Sequence, residues 1–243
     1  IQTADNHRPY SIPAEDKNEF KLLTYSADSL KRFGFESNEE MNAFRYTDFS
    51  YQKFMEAAKK EPYFKNTIFV FVGDHGIRYN GSLEYFPKSW TEQGLTCEHV
   101  PLLFYAPALL KPQRVHNVCS QIDILPSIAS LAKIPYMNNS LGRNLFDTVA
   151  YAQVLGHDEI IPRLPKYTAF VIDHDLHTIG IVNNQYYYLK NLKTGKDDLV
   201  SSIGNNPVKE SAETDSVKNY LQQLTDAYYE TSKYLLLNNK KRK

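Results

Sequence analysis

The distribution of apolar residues divides the first half of the chain into helical and extended segments. Between residues 39 and 60 apolar side chains recur every three to four positions, which predicts an amphipathic helix that ends before Pro62. An unbroken apolar run at residues 68–72 predicts a buried strand, and residues 98–107 predict a second one. A further apolar face predicts a helix over residues 121–132. Because helices alternate with buried strands, this half is typical of an α/β protein with parallel units.

The pattern changes after about residue 165, where shorter apolar segments follow one another closely. Residues 167–172, 178–182 and 185–189 predict three short strands, with a hairpin turn at Asn183 and Asn184. We therefore predict two parts: residues 1–165 form an α/β region with a mixed or parallel sheet flanked by helices, and residues 166–243 form a small antiparallel sheet and a final helix. The helix is predicted from an apolar stripe made by Val217, Tyr220, Leu221, Leu224 and Tyr228.

Composition and charge exclude some classes of function. The 243 residues include 28 basic and 28 acidic side chains, so the chain lacks the basic surplus of a nucleic-acid binder. The basic residues 240–243 are interpreted as a solvated tail. No apolar run approaches the roughly 20 residues of a membrane helix. Because the chain begins at Ile1 without an initiator methionine, we expect it to be a fragment. Cys97 and Cys119 either pair or remain buried thiols.

The polar residues that follow the first predicted strand are the main candidates for chemistry. Asp74 and His75 stand between Gly73 and Gly76, directly after the apolar run. In α/β proteins ligands bind beyond the carboxyl ends of strands. A carboxylate oxygen and an imidazole nitrogen suit manganese, zinc or related ions, and the glycines would allow the turn that lets both side chains reach one ion. The alternative is a polar loop in which Asp74 caps a turn and His75 is solvated.

Three other histidine segments also leave alternatives open. His7 and Arg8 could bind a phosphate or sulfate, or could simply be surface loop residues. His99, at the start of the second strand, would by itself be a structural histidine. His174 and His177 flank a predicted turn, where exposure is the simpler interpretation.

Two further segments affect the site. Residues 77–98 form a connection long enough to cover an active site. Asp123 falls in the first turn of the helix predicted over residues 121–132, where a helix cap is a simpler role than that of a catalytic acid.

Taken together, four segments in this order resemble the carboxyl-terminal half of the sulfatase-like branch of the alkaline phosphatase superfamily. More narrowly, they resemble lipoteichoic acid synthases and related phosphoglycerol transferases. The segments are Thr-Ala-Asp-Asn-His-Arg-Pro-Tyr from Thr3, Asn-Thr-Ile-Phe-Val-Phe-Val-Gly-Asp-His-Gly from Asn66, His-Val-Pro-Leu-Leu-Phe-Tyr-Ala-Pro from His99, and Gln-Ile-Asp-Ile-Leu-Pro-Ser from Gln121. The resemblance covers nearly the whole chain. It implies that residues 1–165 are the later portion of the family's catalytic domain.

The resemblance also implies roles for individual residues. Asp74 and His75 would bind the catalytic divalent metal, with manganese expected first and zinc, magnesium or calcium as alternatives. His7 would lie near the substrate phosphate, and His99 would contribute a second metal ligand or a phosphate contact. Arg8 and Trp90 are added as substrate-binding candidates, although no motif fixes them.

The chain departs from the family pattern at one essential point. Members use a threonine, serine or modified cysteine nucleophile far upstream, and neither that residue nor the neighbouring acidic ligand is present. Cys97 and Cys119 do not begin a Cys-x-Pro-x-Arg motif. The first strands of the sheet are also expected to lie outside the chain. We therefore expect half of an active site, with weak metal affinity and no turnover on its own.

The function implied for the parent protein is phosphoglycerol or phosphoethanolamine transfer through a covalent intermediate. The substrate would be a phospholipid or glycan that carries a phosphate or sulfate ester. The protein would act in the extracytoplasmic cell envelope, anchored to the membrane by a segment that precedes this chain. One alternative is a sulfatase or phosphodiesterase on the same fold. The other is a non-catalytic domain that binds an anionic glycan or lipid head group.

Overall fold

A computed structural model describes residues 1–4, 6–79, 84–146 and 167–238. The chain divides into two compact units. Unit 1 consists of Ile1–Phe86 and Leu95–Lys111, and unit 2 consists of Pro87–Gly94 and Pro112–Lys243. The boundary predicted at residue 165 lies outside the described residues and stays a prediction.

The described secondary structure mixes helices with short strands, which confirms the α/β class. The α-helices are α1 (Ala27–Phe33), α2 (Asn38–Ala58), α3 (Lys88–Thr91), α4 (Leu95–Glu98), α5 (Ile124–Leu131) and α6 (Ala212–Asn238). The strands are β1 (Phe69–Val72), β2 (Leu102–Tyr105), β3 (Thr168–Asp173), β4 (Thr178–Asn183), β5 (Tyr186–Asn191) and β6 (Asp197–Ser201). Short 3₁₀ helices cover Ala14–Asn18, Pro62–Asn66 and Gln121–Asp123.

Helix α2 is the long helix predicted from the sequence, and it belongs to unit 1. Ser37 caps its first turn by accepting a hydrogen bond from the Glu40 amide. The predicted apolar stripe packs on β1 through edge-to-face ring contacts, with Tyr51 on Phe71 and Phe54 on Phe69. The periodicity therefore identified both the helix and the face that it buries.

Strands β1 and β2 pair with each other in an antiparallel register that matches Phe69 with Tyr105 and Val72 with Leu102. The parallel unit predicted from the helix–strand order is not observed among the described residues. The strands are also less buried than an unbroken apolar run predicts, since Val72 and Leu103 are exposed. Val72 pairs with Leu102 and Leu103 pairs with Phe71, so the two exposed side chains lie on opposite faces and neither face of this two-stranded pair is fully covered in the part of the chain that the structure describes.

Unit 2 contains the predicted antiparallel meander, with strands in the order β3-β4-β5-β6. The strand β6 was not predicted, because Asp197 and Asp198 interrupt its apolar pattern. The turn between β4 and β5 lies one residue later than predicted, and the Asn183 Oδ1 accepts both the Gln185 and Tyr186 amides at 2.8 Å. Helix α6 packs on β4 and β5. The core consists of Ile181, Tyr188, Leu199, Val217 and Leu221.

Candidate functional site

The segment that leaves β1 is held against the segment that enters β2. The Gly73 amide donates to the Pro101 carbonyl at 3.2 Å, and the Gly76 amide donates to the Cys97 carbonyl at 2.7 Å. Asp74 and His75 lie between these two contacts. The structure therefore places the predicted metal-binding pair beside the stretch that contains His99, within unit 1.

The two glycines are required for a different reason from the one that the sequence suggested. Neither residue has the positive φ that favours glycine. Instead, a Cβ on Gly76 would lie 2.1 Å from the Thr96 carbonyl oxygen, and a Cβ on Gly73 would lie 2.9 Å from the Val100 Cβ. The glycines allow two backbone segments to approach closely, so the prediction of a glycine-specific turn is corrected to one of close packing.

Local hydrogen bonds orient both members of the Asp74–His75 pair. The Asp74 Oδ1 accepts the His75 amide at 2.9 Å. The His75 Nδ1 lies 2.8 Å from the Gly76 carbonyl oxygen. Because a carbonyl can only accept, Nδ1 carries the proton, and the lone pair of the neutral ring is on Nε2. This is the tautomer in which Nε2 can ligate a metal.

The distance between the two side chains fits a shared ion. The His75 Nε2 lies 4.0 Å from the Asp74 Oδ2. That distance is less than twice the roughly 2.1 Å of a metal–ligand bond, so one ion can contact both atoms. The side chains are 71% and 81% exposed, respectively, which leaves room for further ligands. In the part of the chain that the structure describes, however, no three His, Cys, Asp or Glu side chains form a cluster that could hold a metal.

His7 lies in an exposed turn that is attached to α2. The Asn6 Oδ1 accepts a hydrogen bond from the Thr47 hydroxyl at 2.7 Å, and the Tyr10 hydroxyl donates to the Glu40 Oε1 at 3.0 Å. The His7 Nδ1 lies 3.1 Å from the Arg8 carbonyl oxygen. By the same reasoning as for His75, its Nε2 carries the lone pair when the ring is neutral.

Arg8 is also exposed, and its guanidinium forms an ion pair with the Glu36 carboxylate. The guanidinium lies 5.9 Å from the centre of the Tyr10 ring. Burial, followed by the neighbouring Glu40 carboxylate, raises the pKa of the Tyr10 hydroxyl. Arg8 is thus a cation on the same turn as His7, and anions that approach it compete with Glu36.

His99 follows α4, and its amide donates to the Leu95 carbonyl at 3.0 Å. Partial desolvation lowers the pKa of the His99 imidazole, which favours the neutral ring. A neutral imidazole can ligate a metal or donate one hydrogen bond to an anion. The structure therefore provides an appropriate protonation state for either role that the sequence suggested.

Trp90 belongs to unit 2 and not to the unit that contains the other candidates. Its indole Nε1 donates to the Ser202 carbonyl at 2.8 Å, and the Lys88 amide of the same helix donates to the Asn205 Oδ1 at 2.8 Å. These contacts attach α3 to the end of β6. They give Trp90 a structural role, and its predicted contact with substrate stays a prediction.

Unit 2 also contains a buried ion pair, between Asp123 and Arg143, that the sequence did not predict. The Asp123 carboxylate is 2% exposed, accepts the Ser120 and Arg143 amides at 2.9 Å, and lies 3.4 Å from the Arg143 Nε. This confirms Asp123 as a capping residue, here in a capping box with Ser120. The Arg143 guanidinium also donates to the Val118 and Thr168 carbonyls. Arg143 stands alone in a polar loop, so the local sequence does not indicate that its side chain pairs with Asp123.

Two other sequence questions are answered by the described residues. No disulfide joins Cys97 and Cys119 within this part of the chain, and desolvation raises the pKa of the Cys119 thiol. His174 and His177 are exposed, as the turn predicted for them implies.

None of the helices in the described part of the chain is both long enough and apolar enough to span a bilayer.

Comparisons with known proteins agree with this architecture. The family model described as Sulfatase matches residues 1–134, which is more than half of the chain. Arylsulfatase K from Gallus gallus is 30% identical over 148 residues, which cover 59% of this chain and 26% of that protein. The lipoteichoic acid synthase-like YvgJ of Bacillus subtilis (strain 168) is 26% identical over 139 residues, which cover 53% of this chain and 21% of that protein.

A solved structure extends the comparison to nearly the whole chain. The lipoteichoic acid synthase LtaP from Listeria monocytogenes matches with a TM-score of 0.57 at 16% identity, covering 96% of this chain and 52% of that one. At this identity the match concerns the fold. The chain spans about a quarter of the curated relatives that it matches, and about half of LtaP.

The fold and the comparisons together define the class of protein as the sulfatase-like branch of the alkaline phosphatase superfamily. Within that class, the chain belongs to the sulfatase family.

Proposed function

We propose that this chain contributes the Asp74–His75 part of a divalent-metal site in an enzyme that transfers phosphoglycerol or phosphoethanolamine in the cell envelope. The observation that carries the proposal is the orientation of the pair. Asp74 Oδ2 and His75 Nε2 lie 4.0 Å apart, and the Nδ1 proton of His75 is directed to a backbone carbonyl. This donor set suits manganese, with zinc, magnesium or calcium as alternatives.

The other candidate residues are assigned to the anionic group of the substrate. His7 and Arg8 lie on one exposed turn and offer an imidazole and a guanidinium to phosphate or sulfate oxygens. His99, with a lowered pKa, supplies a neutral imidazole beside the Asp74–His75 segment. A bound divalent ion would stabilise negative charge on the transferring group as a Lewis acid. Trp90 is proposed as a further substrate contact, supported by the sequence alone.

The remaining chemistry is assigned to residues outside this chain. We propose a threonine nucleophile that forms a covalent intermediate, which a lipid or glycan acceptor resolves. The substrate is a phospholipid or glycan that carries a phosphate or sulfate ester. We assign the protein to the extracytoplasmic side of the envelope, with membrane anchoring through a segment outside this chain. The high exposure of Asp74 and His75 is consistent with additional ligands from the rest of the protein.

A second candidate function is the hydrolysis of sulfate esters. It is favoured by the similarity to Arylsulfatase K. The chain is 30% identical to that protein from Gallus gallus, compared with 26% to the lipoteichoic acid synthase-like YvgJ. The two functions share the metal site and the anion contacts. They differ in the nucleophile and in the acceptor, since hydrolysis ends with water.

The test uses the full-length protein and its Asp74→Ala variant. Metal content is measured by mass spectrometry, and activity is measured with phosphatidylglycerol and with an aryl sulfate as donors. We expect the variant to lose metal and activity together, while the exposed Asp48→Ala retains both. Release of diacylglycerol supports transferase chemistry, and sulfate release supports the second function. If the Asp74→Ala enzyme is fully active and loaded with metal, Asp74 is not a metal ligand. If the parent protein contains no metal and binds anionic glycans equally well with and without added metal, it is a binding domain and not an enzyme.

A further inference from the structure

The turn formed by residues 6–10 is attached to helix α2 at both of its ends. At its start, the Asn6 Oδ1 accepts a hydrogen bond from the Thr47 hydroxyl at 2.7 Å. At its end, the Tyr10 hydroxyl donates to the Glu40 Oε1 at 3.0 Å. Glu40 and Thr47 lie about two helical turns apart, so both anchors are on the same face of α2. The helix therefore holds both flanks of the segment that contains His7.

Glu40 differs from an ordinary surface anchor because its carboxylate is buried and accepts two hydrogen bonds. The residue is 3% exposed. Its Oε1 accepts the Tyr10 hydroxyl, and its Oε2 accepts the Glu36 amide at 2.7 Å. The Glu40 amide donates to the Ser37 Oγ at 3.2 Å, so the cap of α2 fixes where this side chain starts. A buried carboxylate with a donor on each oxygen is a rigid connection between the segments that supply the donors.

The second hydrogen bond of Glu40 leads back to the same turn. Glu36, whose amide Glu40 binds, pairs through its own carboxylate with the Arg8 guanidinium. The Arg8 and Glu36 side chains are 69% and 45% exposed, so this ion pair by itself is weak and leaves the guanidinium open to solvent. Glu40 thus holds both the turn that carries Arg8 and the segment that carries its counter-ion.

The backbone of the turn also needs such an attachment. Tyr10 has a φ of 59°, in the left-handed region that residues other than glycine rarely adopt. Its amide donates to the His7 carbonyl at 3.1 Å, which closes the turn. A backbone of this kind persists only where surrounding contacts fix it, and such residues cluster at functional sites. The hydrogen bond from the Tyr10 hydroxyl to Glu40 is a contact that fixes it.

We propose that Glu40 is a positioning residue for the anion contact made by His7 and Arg8. It acts through the Tyr10 hydroxyl and the Glu36 amide, which keep the turn in one conformation before the anion arrives. A preorganised turn binds more tightly, because binding does not have to order it. The inference rests on the function proposed above, which assigns His7 and Arg8 to the phosphate or sulfate group of the substrate.

The test measures the affinity of the chain for inorganic phosphate, followed at constant pH by the NMR signals of the His7 ring. Tyr10→Phe removes one hydroxyl and should weaken the affinity by about tenfold, because a hydrogen bond to a charged acceptor is lost and the ordered turn is less populated. Glu40→Gln should act in the same direction, since its amide nitrogen cannot accept a hydrogen bond. Arg8→Gln removes the anion contact itself and should also weaken binding.

Tyr46→Phe is the matched control. The Tyr46 hydroxyl donates to the Asp16 carboxylate, so this variant loses the same kind of hydrogen bond on the same helix, but one that attaches the 3₁₀ helix Ala14–Asn18 and not the turn. It should bind phosphate like the parent, even if urea denaturation shows that it is less stable. Circular dichroism checks that every variant keeps the helix content of the parent.

The outcomes separate this inference from the function on which it rests. If Arg8→Gln weakens phosphate binding and Tyr10→Phe does not, the positioning role is wrong and the anion contact stands. If phosphate leaves the His7 signals unchanged, or if Arg8→Gln has no effect, both the anion contact and the positioning role are wrong. Equal losses of affinity in Tyr10→Phe and Tyr46→Phe would also overturn the positioning role, because general destabilisation would then explain them.

Discussion

The amide of Gly76 donates to the carbonyl of Cys97 over 2.7 Å, and this contact fixes the loop that contains Asp74 and His75. Together with the Gly73–Pro101 contact it extends the association of β1 and β2 beyond the strands themselves. The loop therefore has two attachment points with the candidate metal ligands between them. The Asp74–His75 loop is held in place by close backbone packing, and not by burial of the two side chains.

The first prediction concerns this packing. In Gly76→Ala the new Cβ would meet the Thr96 carbonyl oxygen at 2.1 Å, so the backbone must separate. We expect a loss of about 1–3 kcal/mol in the free energy of unfolding, measured by urea denaturation. Gly204→Ala is the control, because a Cβ there meets no atom within 4 Å. Equal stability of the two variants would show that the 73–76 loop is not held against residues 96–101.

The second prediction concerns metal affinity. Two protein ligands hold an ion weakly, so we expect measurable but weak Mn²⁺ binding to this chain, detected by electron paramagnetic resonance as a loss of free-ion signal. Asp74→Ala and His75→Ala should each abolish the change, because one donor side chain then remains. The exposed Asp48→Ala and His116→Ala variants are the controls and should bind like the parent. Binding that survives in both site variants would place the ion elsewhere.

The third prediction concerns acid stability of unit 2. The Asp197 carboxylate accepts hydrogen bonds from the Lys218 ammonium at 2.8 Å and from the Tyr188 hydroxyl at 3.0 Å. Lys218 first, and then Tyr188, lowers the pKa of Asp197. The folded state thus holds the ionised form more strongly than the unfolded state does. The stability that the ionised Asp197 contributes is fully present above the ordinary Asp pKa of about 3.9. It is lost as the pH falls through the lowered pKa that Asp197 has in the folded state.

We therefore expect Asp197→Asn to cost about 1 kcal/mol at neutral pH and to reduce the loss of stability below pH 4. Urea denaturation at both pH values measures the effect. The neighbouring Asp198 is exposed, and its Oδ1 accepts the amide of the adjacent Leu199, so Asp198→Asn should follow the parent. Identical pH profiles of all three proteins would contradict the assigned role.

The fourth prediction concerns the buried pair of Asp123 and Arg143. In Arg143→Gln the Asp123 carboxylate, which is 2% exposed, loses its cationic partner. The Val118 and Thr168 carbonyls lose their donor as well. We expect a loss of about 3 kcal/mol in the free energy of unfolding. Lys190→Gln removes a more exposed ion pair with Asp226 and should cost less than about 1 kcal/mol, which makes it the matched control. Comparable losses would mean that the Asp123 charge is not buried in solution.

Several elements of this fold follow directly from the periodicity of the sequence. Helix α2, strand β1, the β3–β5 meander and α6 follow from apolar spacing, because a repeated apolar face has few ways to be buried. Strand β6 was missed because Asp197 and Asp198 interrupt its pattern, although Asp197 is held by Lys218 on another element. A side chain whose partner is distant in sequence cannot be recognised from local pattern.

For the candidate site, the sequence by itself determined which chemistry is present: a carboxylate and an imidazole after a strand, with His7 and Arg8 earlier and His99 later. Only the tertiary structure decided how these groups are arranged. The Gly76–Cys97 contact brings the segments of His75 and His99 side by side, and the Gly76 carbonyl selects the His75 tautomer. The indole of Trp90 is directed to Ser202. Residue identity fixes donor atoms, whereas proximity and protonation depend on backbone contacts between segments that are separated in the chain.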